Sequence, residues 1–232
     1  MNIFFSNTIQ NNAIVLPEDE TRHCVKVLRK EKGDRINCID GKGNYYEAEI
    51  SEITKKYCIC KIISHTPNFG CFPYTIRMGV APTKNMDRFE FFVEKAVELG
   101  VSEIIPLRCK HSERKQVKTE RIEKIALSAM KQSLKAQKPI IHEITPLETV
   151  LNMQLTGGKY IAHCQNQNTI SLKKIPRDNE ITILIGPEGD FSTEEINLAV
   201  KNTWEGLDLG PSRLRTETAA IVAVHSVHFL WQ

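Results

Sequence analysis

An unbroken apolar run from Ile181 to Ile185 leads directly into a glycine–proline turn, and this stretch constrains the fold more than any other. Such a run is typical of a buried strand in a parallel sheet. Gly186-Pro187 ends the strand, and Glu188 and Gly189 continue a tight turn whose backbone can approach a ligand closely. Ligands of open α/β sheets lie outside the carboxyl ends of the strands, so the turn marks a candidate binding site.

The same pattern occurs a second time further along the chain. A short predicted strand, Leu207 to Leu209, is interrupted by Gly210-Pro211. A polar loop then leads to Thr216, which we expect to cap a last helix from Glu217 to Leu230. Main-chain groups of the two loops can bind the edges of a flat ring, which accounts for the glycines better than phosphate binding does.

Strand-like and helix-like segments alternate from Ile76 onward, and this predicts a parallel sheet covered by helices on both faces. The predicted strands are Ile76–Ala81, Glu103–Leu107, Ile140–Ile144 and Tyr160–Cys164, together with the two already named. The predicted helices are Asp87–Leu99, Lys118–Gln137, Leu147–Met153 and one that opens with the capping box Ser192-Glu195. These patterns alone favour an unknotted Rossmann-like sheet, because knotted chains are nearly absent.

Residues 1 to about 70 are predicted to be rich in β-structure, in the manner of a small barrel. The expected strands are Ile36–Ile39, Tyr45–Ile53 and Lys56–Ile63, with a short helix at Glu20–Arg29. Asp40 to Asn44 contains Asp-Gly between apolar runs, which predicts a hairpin. Proline and glycine then punctuate the chain near residue 70, so we predict domains at 1–70 and 74–232.

The densest basic cluster in the sequence lies on the predicted N-terminal helix and its tail. It includes Arg22, Lys26, Arg29 and Lys30. One interpretation is a solvated helix face, and the other is a surface that contacts phosphates. The net charge of the whole chain is only +3, so a nucleic-acid surface would have to be a local patch.

Cysteine spacing and hydropathy bear on metal binding, membrane insertion and cellular location. The seven cysteines show no zinc-binding spacing, and Cys58 and Cys60 share one face of a predicted strand, where packing in the core is the favoured role. We therefore expect no metal site. With no signal peptide and no apolar run of roughly 18 residues, we expect a cytoplasmic protein that does not enter a membrane.

The two glycine–proline loops also carry a family resemblance. GPEGDFS and LGPSRLRTETA resemble the GPEGGFS and LGPRILRTETA signatures of the RsmE family, and KAVELGV resembles its KxxELGV. The family belongs to the SPOUT (trefoil-knot) superfamily. The resemblance implies an α/β chain with a C-terminal SPOUT-type knotted parallel-sheet domain and an N-terminal PUA-like β-barrel that binds RNA. It also implies a methyltransferase that uses S-adenosyl-L-methionine to methylate N3 of a specific uridine in 16S ribosomal RNA, and a homodimer formed through the knotted domain.

The resemblance further implies roles for individual residues. The cofactor-binding residues would be His163, Leu184, Ile185, Gly186, Pro187, Glu188, Gly189, Leu209, Gly210, Leu214, Thr218 and Ala219. The catalytic residues would be Arg114, Arg215 and Glu217, and the RNA-binding residues Arg22, Lys26, Arg29 and Lys30. The sequence departs from the family at Lys135, at Asp190, where a second glycine is usual, and at Ser212-Arg213, where Arg-Ile is usual.

Several of these residues have a plain structural alternative. Glu188 can brace its loop by accepting backbone hydrogen bonds, Arg215 can pair with a nearby carboxylate, and His163 can be structural. For the whole chain, the alternatives are a non-catalytic RNA-binding or ribosome-assembly protein and a Rossmann-type nucleotide enzyme. The absence of GxGxxG counts against the latter. The last helix is apolar nearly all round, which favours burial against a second copy, with Val224 or Val227 facing it.

Overall fold

The computed structural model describes residues 2–165 and 169–232. The chain divides into two compact units. One comprises Met1–Cys71 and Leu127–Lys138, and the other comprises Phe72–Ala126 and Pro139–Gln232. Within the described ranges, no helix is both long and apolar enough to span a bilayer.

Six strands form the sheet of the first unit. They are β1 (Ile3–Phe5), β2 (Ile9–Gln10), β3 (Ala13–Leu16), β4 (Arg35–Ile39), β5 (Tyr45–Ile53) and β6 (Cys58–Thr66). Their order is β1-β4-β5-β6-β3-β2; β1 is parallel to β4, and the other pairs are antiparallel. The side chains of Cys58 and Cys60 are both fully buried in the core beneath this sheet, which confirms their predicted packing role.

The predicted hairpin joins β4 to β5, with Ile39 opposite Tyr45. Asp40 organises the turn, because its Oδ1 accepts hydrogen bonds from the backbone N–H of Lys42 at 2.7 Å and of Asn44 at 3.1 Å. An Asp side chain that closes a turn on the backbone just ahead of it is the usual reason for Asp in this position. The hairpin prediction is confirmed.

The predicted N-terminal helix is present, but it begins and ends two residues earlier and is less regular than expected. It consists of α1 (Glu18–Arg22) and a π-helical turn, His23–Val27. Arg29 has φ +53°, a left-handed conformation that no helix can include, so the predicted end at Arg29 is wrong. The side chains of Arg22, Lys26 and Arg29 are exposed.

Eight strands form a sheet in the second unit, and every pairing in it is parallel, as predicted. The strands are β7 (Thr75–Val80), β8 (Glu103–Arg108), β9 (Ile140–Ile141), β10 (Thr145–Pro146), β11 (Gly158–Ala162), β12 (Thr169–Ser171), β13 (Glu180–Ile185) and β14 (Glu205–Asp208). The main order is β10-β8-β7-β13-β11-β14-β12, with β9 paired to β8. The sheet therefore places β13 at its centre, between β7 and β11.

Helices follow these strands in the chain. They are α2 (Met86–Leu99), α3 (Thr119–Gln132), α4 (Leu147–Leu151), α5 (Thr193–Lys201) and α6 (Thr216–Trp231). Asn85 caps α2 by accepting a hydrogen bond from Asp87 N–H, and Gly100 ends it at φ +100°. The capping box of α5 forms in both directions between Ser192 and Glu195, as predicted. Helix α6 packs against α2, β7 and β13.

The predicted end of α3 is wrong. The helix ends at Gln132 rather than Gln137, because Leu134 takes the left-handed conformation with φ +56°. The N–H of Lys135 then bonds back to the carbonyl of Met130 at 3.0 Å, a 6→1 closure typical of a helix terminus. Glycine usually occupies such a position, so the sequence gives no sign of this stop.

Four strands also end earlier than predicted, and one of them is β7, which ends at Val80 and not at Ala81. The strand expected at Ile140–Ile144 has only two residues. Strand β11 ends at Ala162 and β14 at Asp208, so His163 and Leu209 belong to loops and not to strands. These shorter strands widen the set of loop residues available at the carboxyl edge of the sheet.

Candidate active site

A cleft of about 950 Å³ opens at the carboxyl ends of β11, β13 and β14. Its size lies within the range of small-molecule sites. Its lining comes from the loops after these three strands, from the first turn of α6 and from α2. The lining residues are Arg88, Ala162, His163, Cys164, Gln165, Thr169, Ile185, Gly186, Pro187, Glu188, Gly189, Asp190, Leu207, Asp208, Leu209, Gly210, Pro211, Ser212, Arg213, Leu214, Arg215, Thr216, Glu217 and Ala219.

The first glycine–proline loop leaves β13 and turns back at once. The N–H of Asp190 bonds to the carbonyl of Pro187 at 2.9 Å, which closes the turn. A Cβ placed on Gly186 would lie 3.1 Å from the ring of Phe191 and 3.2 Å from its backbone nitrogen. The fully buried Phe191 ring therefore disfavours a Cβ here, and approach of a ligand ring is not needed to explain the glycine.

Glu188 braces this loop, as the structural alternative predicted. Its Oε1 accepts a hydrogen bond from the N–H of Lys84 at 2.9 Å, and Arg114 donates to the carbonyl of the same Lys84 at 2.9 Å. Both side chains thus hold the backbone that connects β7 to α2. Arg114 does not line the cleft, because this contact directs its guanidinium to Lys84.

The second glycine–proline loop follows β14 and is held by Asp208. Oδ1 of Asp208 accepts a hydrogen bond from the N–H of Gly210 at 2.8 Å. Gly210 has φ +116°, and a Cβ added there would meet no atom within 4 Å. Its backbone conformation, and not a lack of space, is what requires glycine.

Thr216 joins the two loops instead of capping α6. Its buried hydroxyl donates a hydrogen bond to the carbonyl of Gly186 at 3.1 Å. The N-cap residue is Arg215, whose side chain makes no capping bond, so the predicted cap at Thr216 is wrong. The hydroxyl satisfies a loop carbonyl from β13, and this contact fixes the start of α6 against the first loop.

Charged side chains converge where α6 begins. Glu217 is mostly buried, and its Oε1 lies 3.9 Å from Nε of Arg88 on α2. Arg213 and Arg215 are exposed at the cleft, and within the described residues neither guanidinium has a hydrogen bond or ion pair. The structural alternative for Arg215, a salt bridge to Glu188 or Glu217, is therefore not what the structure shows.

His163 contributes a buried polar atom to the cleft. Its Nδ1 is shielded from solvent and has no hydrogen-bond partner among the described residues. Burial lowers the pKa of His163 below its ordinary value, although the nearby Asp190 and a hydrogen bond to the backbone of Gln165 oppose the shift. The imidazole is therefore neutral at pH 7, and an unpaired buried nitrogen of this kind is expected to bind a ligand or a water molecule.

Most of the predicted catalytic and cofactor-binding residues come together in the cleft, and three do not. Leu184 is fully buried, and a Cβ on Gly79 of β7 would lie 2.4 Å from it, so it faces the interior and not the cleft. Thr218 is exposed and outside the lining, as is Arg114.

Arg88, Gln165 and Asp208 line the cleft but were not predicted. The local sequence could have identified Asp208 as a site residue, since it is a carboxylate two residues before a glycine at the end of a strand. No local signal identifies Arg88, because it enters from a helix that follows a different strand.

Together, the fold and the cleft define a class of protein. The protein has an α/β domain with a ligand-binding cleft at a switch in strand order, joined in one chain to a small β-rich unit. In the described ranges, no group of three or more His, Cys, Asp or Glu side chains is arranged to hold a metal ion.

Comparison with known proteins identifies the family. Residues 71–228 match the family described as RNA methyltransferase domain, and residues 16–63 match the RNA methyltransferase PUA domain. The chain is 30% identical over 236 residues to ribosomal RNA small subunit methyltransferase E of Rickettsia conorii, covering 97% of this chain and 93% of that protein. It belongs to the ribosomal RNA small subunit methyltransferase E family.

Solved structures agree. A probable rRNA-methyltransferase from Porphyromonas gingivalis gives a TM-score of 0.92 at 37% identity, covering 100% of this chain and 98% of that one. The ribosomal RNA small subunit methyltransferase E from Neisseria gonorrhoeae bound to S-adenosyl methionine gives 0.89 at 26% identity, covering 100% and 98%. The predicted parallel-sheet methyltransferase domain with an N-terminal PUA-like domain is confirmed, whereas its assignment to the SPOUT superfamily stays a prediction. The threading of the chain into a trefoil knot stays a prediction.

Proposed function

We propose that this protein methylates N3 of a uridine in 16S ribosomal RNA, using S-adenosyl-L-methionine as the methyl donor. The main support for the proposal is the geometry of the cleft. Both family loops meet there at the carboxyl edge of the sheet, tied together by the hydrogen bond from Thr216 to Gly186. A relative with the same fold along its whole length has been solved with S-adenosyl methionine bound, which supports this choice of ligand.

The residues of the cleft fit this donor. When bound, S-adenosyl-L-methionine supplies an activated methyl group to a nucleophile aligned with it. The loops after β13 and β14 would hold its adenosine through main-chain groups, and Nδ1 of His163 offers a buried nitrogen that needs a partner. Glu188 and Arg114 take no direct part in this scheme; they keep the β7–α2 connection in place.

Uracil N3 carries a proton that must be removed before the nitrogen can be methylated, so the site needs a proton acceptor. Three of the four carboxylates that line the cleft already accept backbone hydrogen bonds: Glu188 from Lys84, Asp190 from Cys164 and Asp208 from Gly210. Among the described residues, Glu217 makes no hydrogen bond and only the long contact to Arg88. We therefore assign Glu217 as the group that accepts the N3 proton.

Arg215 is the group best suited to stabilise the uracil as it loses this proton. Its guanidinium has no partner in the described structure and sits one residue before the first turn of α6. Cationic donors aimed at developing negative charge are among the strongest catalytic devices. Arg213, equally free and at the same rim, can contact a phosphate of the RNA backbone.

The direct test combines labelled donor with small ribosomal subunits that lack the modification. The label is expected in the 16S ribosomal RNA, at N3 of one uridine, and mapping by mass spectrometry identifies the position. Transfer of label to another base or another atom would contradict the proposal. A protein that only binds RNA, the alternative function, would transfer no label at all. Because ribosomal RNA is the proposed substrate, we also propose that the protein acts in the cytoplasm.

The PUA-like unit is proposed to hold the RNA through its basic cluster. Arg22, Lys26 and Arg29 are exposed within the segment that matches the RNA methyltransferase PUA domain, whereas Lys30 is half-buried and 3.9 Å from Asp34. Exposed cations without a carboxylate partner are the ones available to phosphates.

Replacing Arg22 and Lys26 by alanine together is expected to weaken RNA binding and to flatten its salt dependence. The slope of log K against log salt should fall by about 0.7 to 0.9 for each phosphate that the variant no longer neutralises. Lys55 and Lys56, exposed in the same unit, give a matched control in which the same charge is removed. Equal slopes for the two double variants would show that the basic cluster is only a solvated helix face.

We further propose a homodimer in which α6 contributes to the interface. Within one chain, Val224 and Val227 are fully buried, so the prediction that one of them faces a partner is wrong. The helix instead presents a different stripe at i, i+4 and i+8, formed by the half-buried Ile221 and the exposed His225 and Phe229. Phe229 is 73% exposed, an unusual position for a large apolar side chain.

The wild-type protein is expected to sediment as a dimer at micromolar concentration, and Phe229→Glu as a monomer, because a buried unpaired charge would oppose association. Val200→Glu is the matched control, since Val200 is 57% exposed on α5. It should remain dimeric. A monomeric wild-type protein over this concentration range would rule out the dimer.

A further inference from the structure

Asp190 occupies the meeting point of three segments that shape the cleft. It has φ +62°, in the left-handed region where Asp is one of the few tolerated side chains. It lies in the first glycine–proline loop, and its neighbours in space are the segment after β11 and the loop after β8. Glycine at this position would adopt the same backbone without strain but would supply no acceptor.

The two carboxylate oxygens of Asp190 have separate partners. Oδ1 accepts a hydrogen bond from the N–H of the next residue, Phe191, at 2.8 Å. Oδ2 accepts one from the N–H of Cys164 at 2.9 Å, across a gap of 26 residues in sequence. The first bond shapes the turn locally, whereas the second ties the segment after β11 to the loop after β13.

Two neighbouring contacts support the same junction. Nε2 of Gln165 donates to the carbonyl of Phe191 at 3.0 Å, and the ring Nδ1 of His111 lies 3.1 Å from the carbonyl of Asp190. His111 comes from the loop after β8, so the junction includes a third segment. His163, Cys164 and Gln165 all line the cleft, so their position determines the position of the cleft wall that follows β11.

We propose that Asp190 is a positioning residue for donor binding: its carboxylate clips residues 163–165 to the first glycine–proline loop and so fixes one wall of the cleft. The proposal rests on the proposed function for the identity of the ligand. The clip acts through hydrogen bonds, and it therefore affects every ligand of the cleft by the same factor, whatever the ligand's charge.

Asp190→Gly isolates the clip, because it removes both acceptors and leaves a residue that adopts φ +62° readily. In the protein without ligand, the N–H of Cys164 is expected to exchange with deuterium about tenfold faster once this bond is removed. Asp190→Asn keeps one acceptor oxygen and should give an intermediate rate. The matched control is Asp178→Gly, since Asp178 is exposed, accepts a bond from the next N–H at 2.6 Å and lies outside the cleft.

The same variants are then tested for ligand binding by calorimetry. For Asp190→Gly we expect the Kd of S-adenosyl-L-methionine to rise about tenfold, with the same factor for its neutral product S-adenosylhomocysteine. The kcat at saturating donor should be unchanged, a separation that general loss of structure would not produce. Asp178→Gly should bind both ligands like the wild type.

Two results would overturn the clip. One is unchanged Cys164 exchange together with unchanged affinity in Asp190→Gly. The other is weaker binding of the cationic donor alone, which would mean that Asp190 acts through its charge. If the wild-type protein binds no donor, the proposed function fails, while the exchange measurement on the ligand-free protein still decides whether the clip exists.

Discussion

Gly210→Val is expected to weaken binding of S-adenosyl-L-methionine about 10- to 100-fold while both units remain folded. Gly210 has φ +116°, and a β-branched residue held in such a conformation is strained by about 1–3 kcal/mol. An added Cβ meets no atom within 4 Å, so the change introduces strain and no clash.

The loop relieves this strain by rotating away from its native conformation. That movement breaks the bond from the Gly210 N–H to Asp208, and a hydrogen bond to a charged group contributes about 1.5–3 kcal/mol. Since the loop from Leu209 to Leu214 lines the cleft, the rotated loop no longer has the conformation that binds the donor, and binding must restore the strained conformation. Calorimetry on the purified variant measures the affinity, and circular dichroism checks that the fold is retained.

Gly33 offers a matched control for the Gly210 substitution. It has φ +94°, and a Cβ there would also meet nothing within 4 Å, but it belongs to the first unit. Gly33→Val should therefore introduce similar backbone strain and lower the melting temperature without changing donor affinity. If folded Gly210→Val bound the donor as tightly as the wild type, the second glycine–proline loop would have no part in binding.

The features that the sequence predicted correctly are those fixed by neighbouring residues. The apolar run of β13 and the reciprocal capping box of Ser192 and Glu195 depend only on residues within a few positions of each other. The turn organised by Asp40 is equally local. Such patterns can be interpreted without knowing what packs against them.

The features that the sequence missed depend on tertiary contacts. Leu134 ends α3 in a left-handed conformation, although it is not a glycine. The glycine of this contact is Gly70, which packs against the helix end: a Cβ on Gly70 would lie 3.3 Å from the carbonyl of Leu134. Thr216 has the residue type of a helix cap, but its hydroxyl bonds to Gly186, 30 positions earlier. Neither partner can be identified from local sequence.

The candidate site divides in the same way. The site residues in the two glycine–proline loops could be predicted, because ligands of parallel sheets bind at the loops that follow the strands and these loops are recognisable in the sequence. Arg88 was missed because it reaches the cleft only through the placement of β7 beside β13, and strand order cannot be derived from periodicity. The side chain of Leu184 faces the core, since side chains alternate along a strand, and its assignment to the cofactor stays a prediction.

Glu217→Gln is expected to lower kcat about 10²–10⁴-fold, the usual range for loss of a positioned proton acceptor. Glutamine has nearly the same shape and keeps an oxygen near Arg88, so the start of α6 and the affinity for the donor should be retained. The loss should therefore fall on kcat, with little change in the KM for the donor.

The pH dependence separates this role of Glu217 from a structural one. Uracil N3 loses its proton to an alkaline solution without help from the protein, so the residual rate of Glu217→Gln should rise with pH more steeply than the wild-type rate. Asp208→Asn is the comparison, because it removes a carboxylate charge from the same cleft but keeps the oxygen that accepts from Gly210. Its kcat should fall far less. A Glu217→Gln variant with the wild-type kcat near pH 7 would show that another group accepts the proton, whereas a loss of kcat that alkaline pH does not restore would give Glu217 a role in placing the uracil.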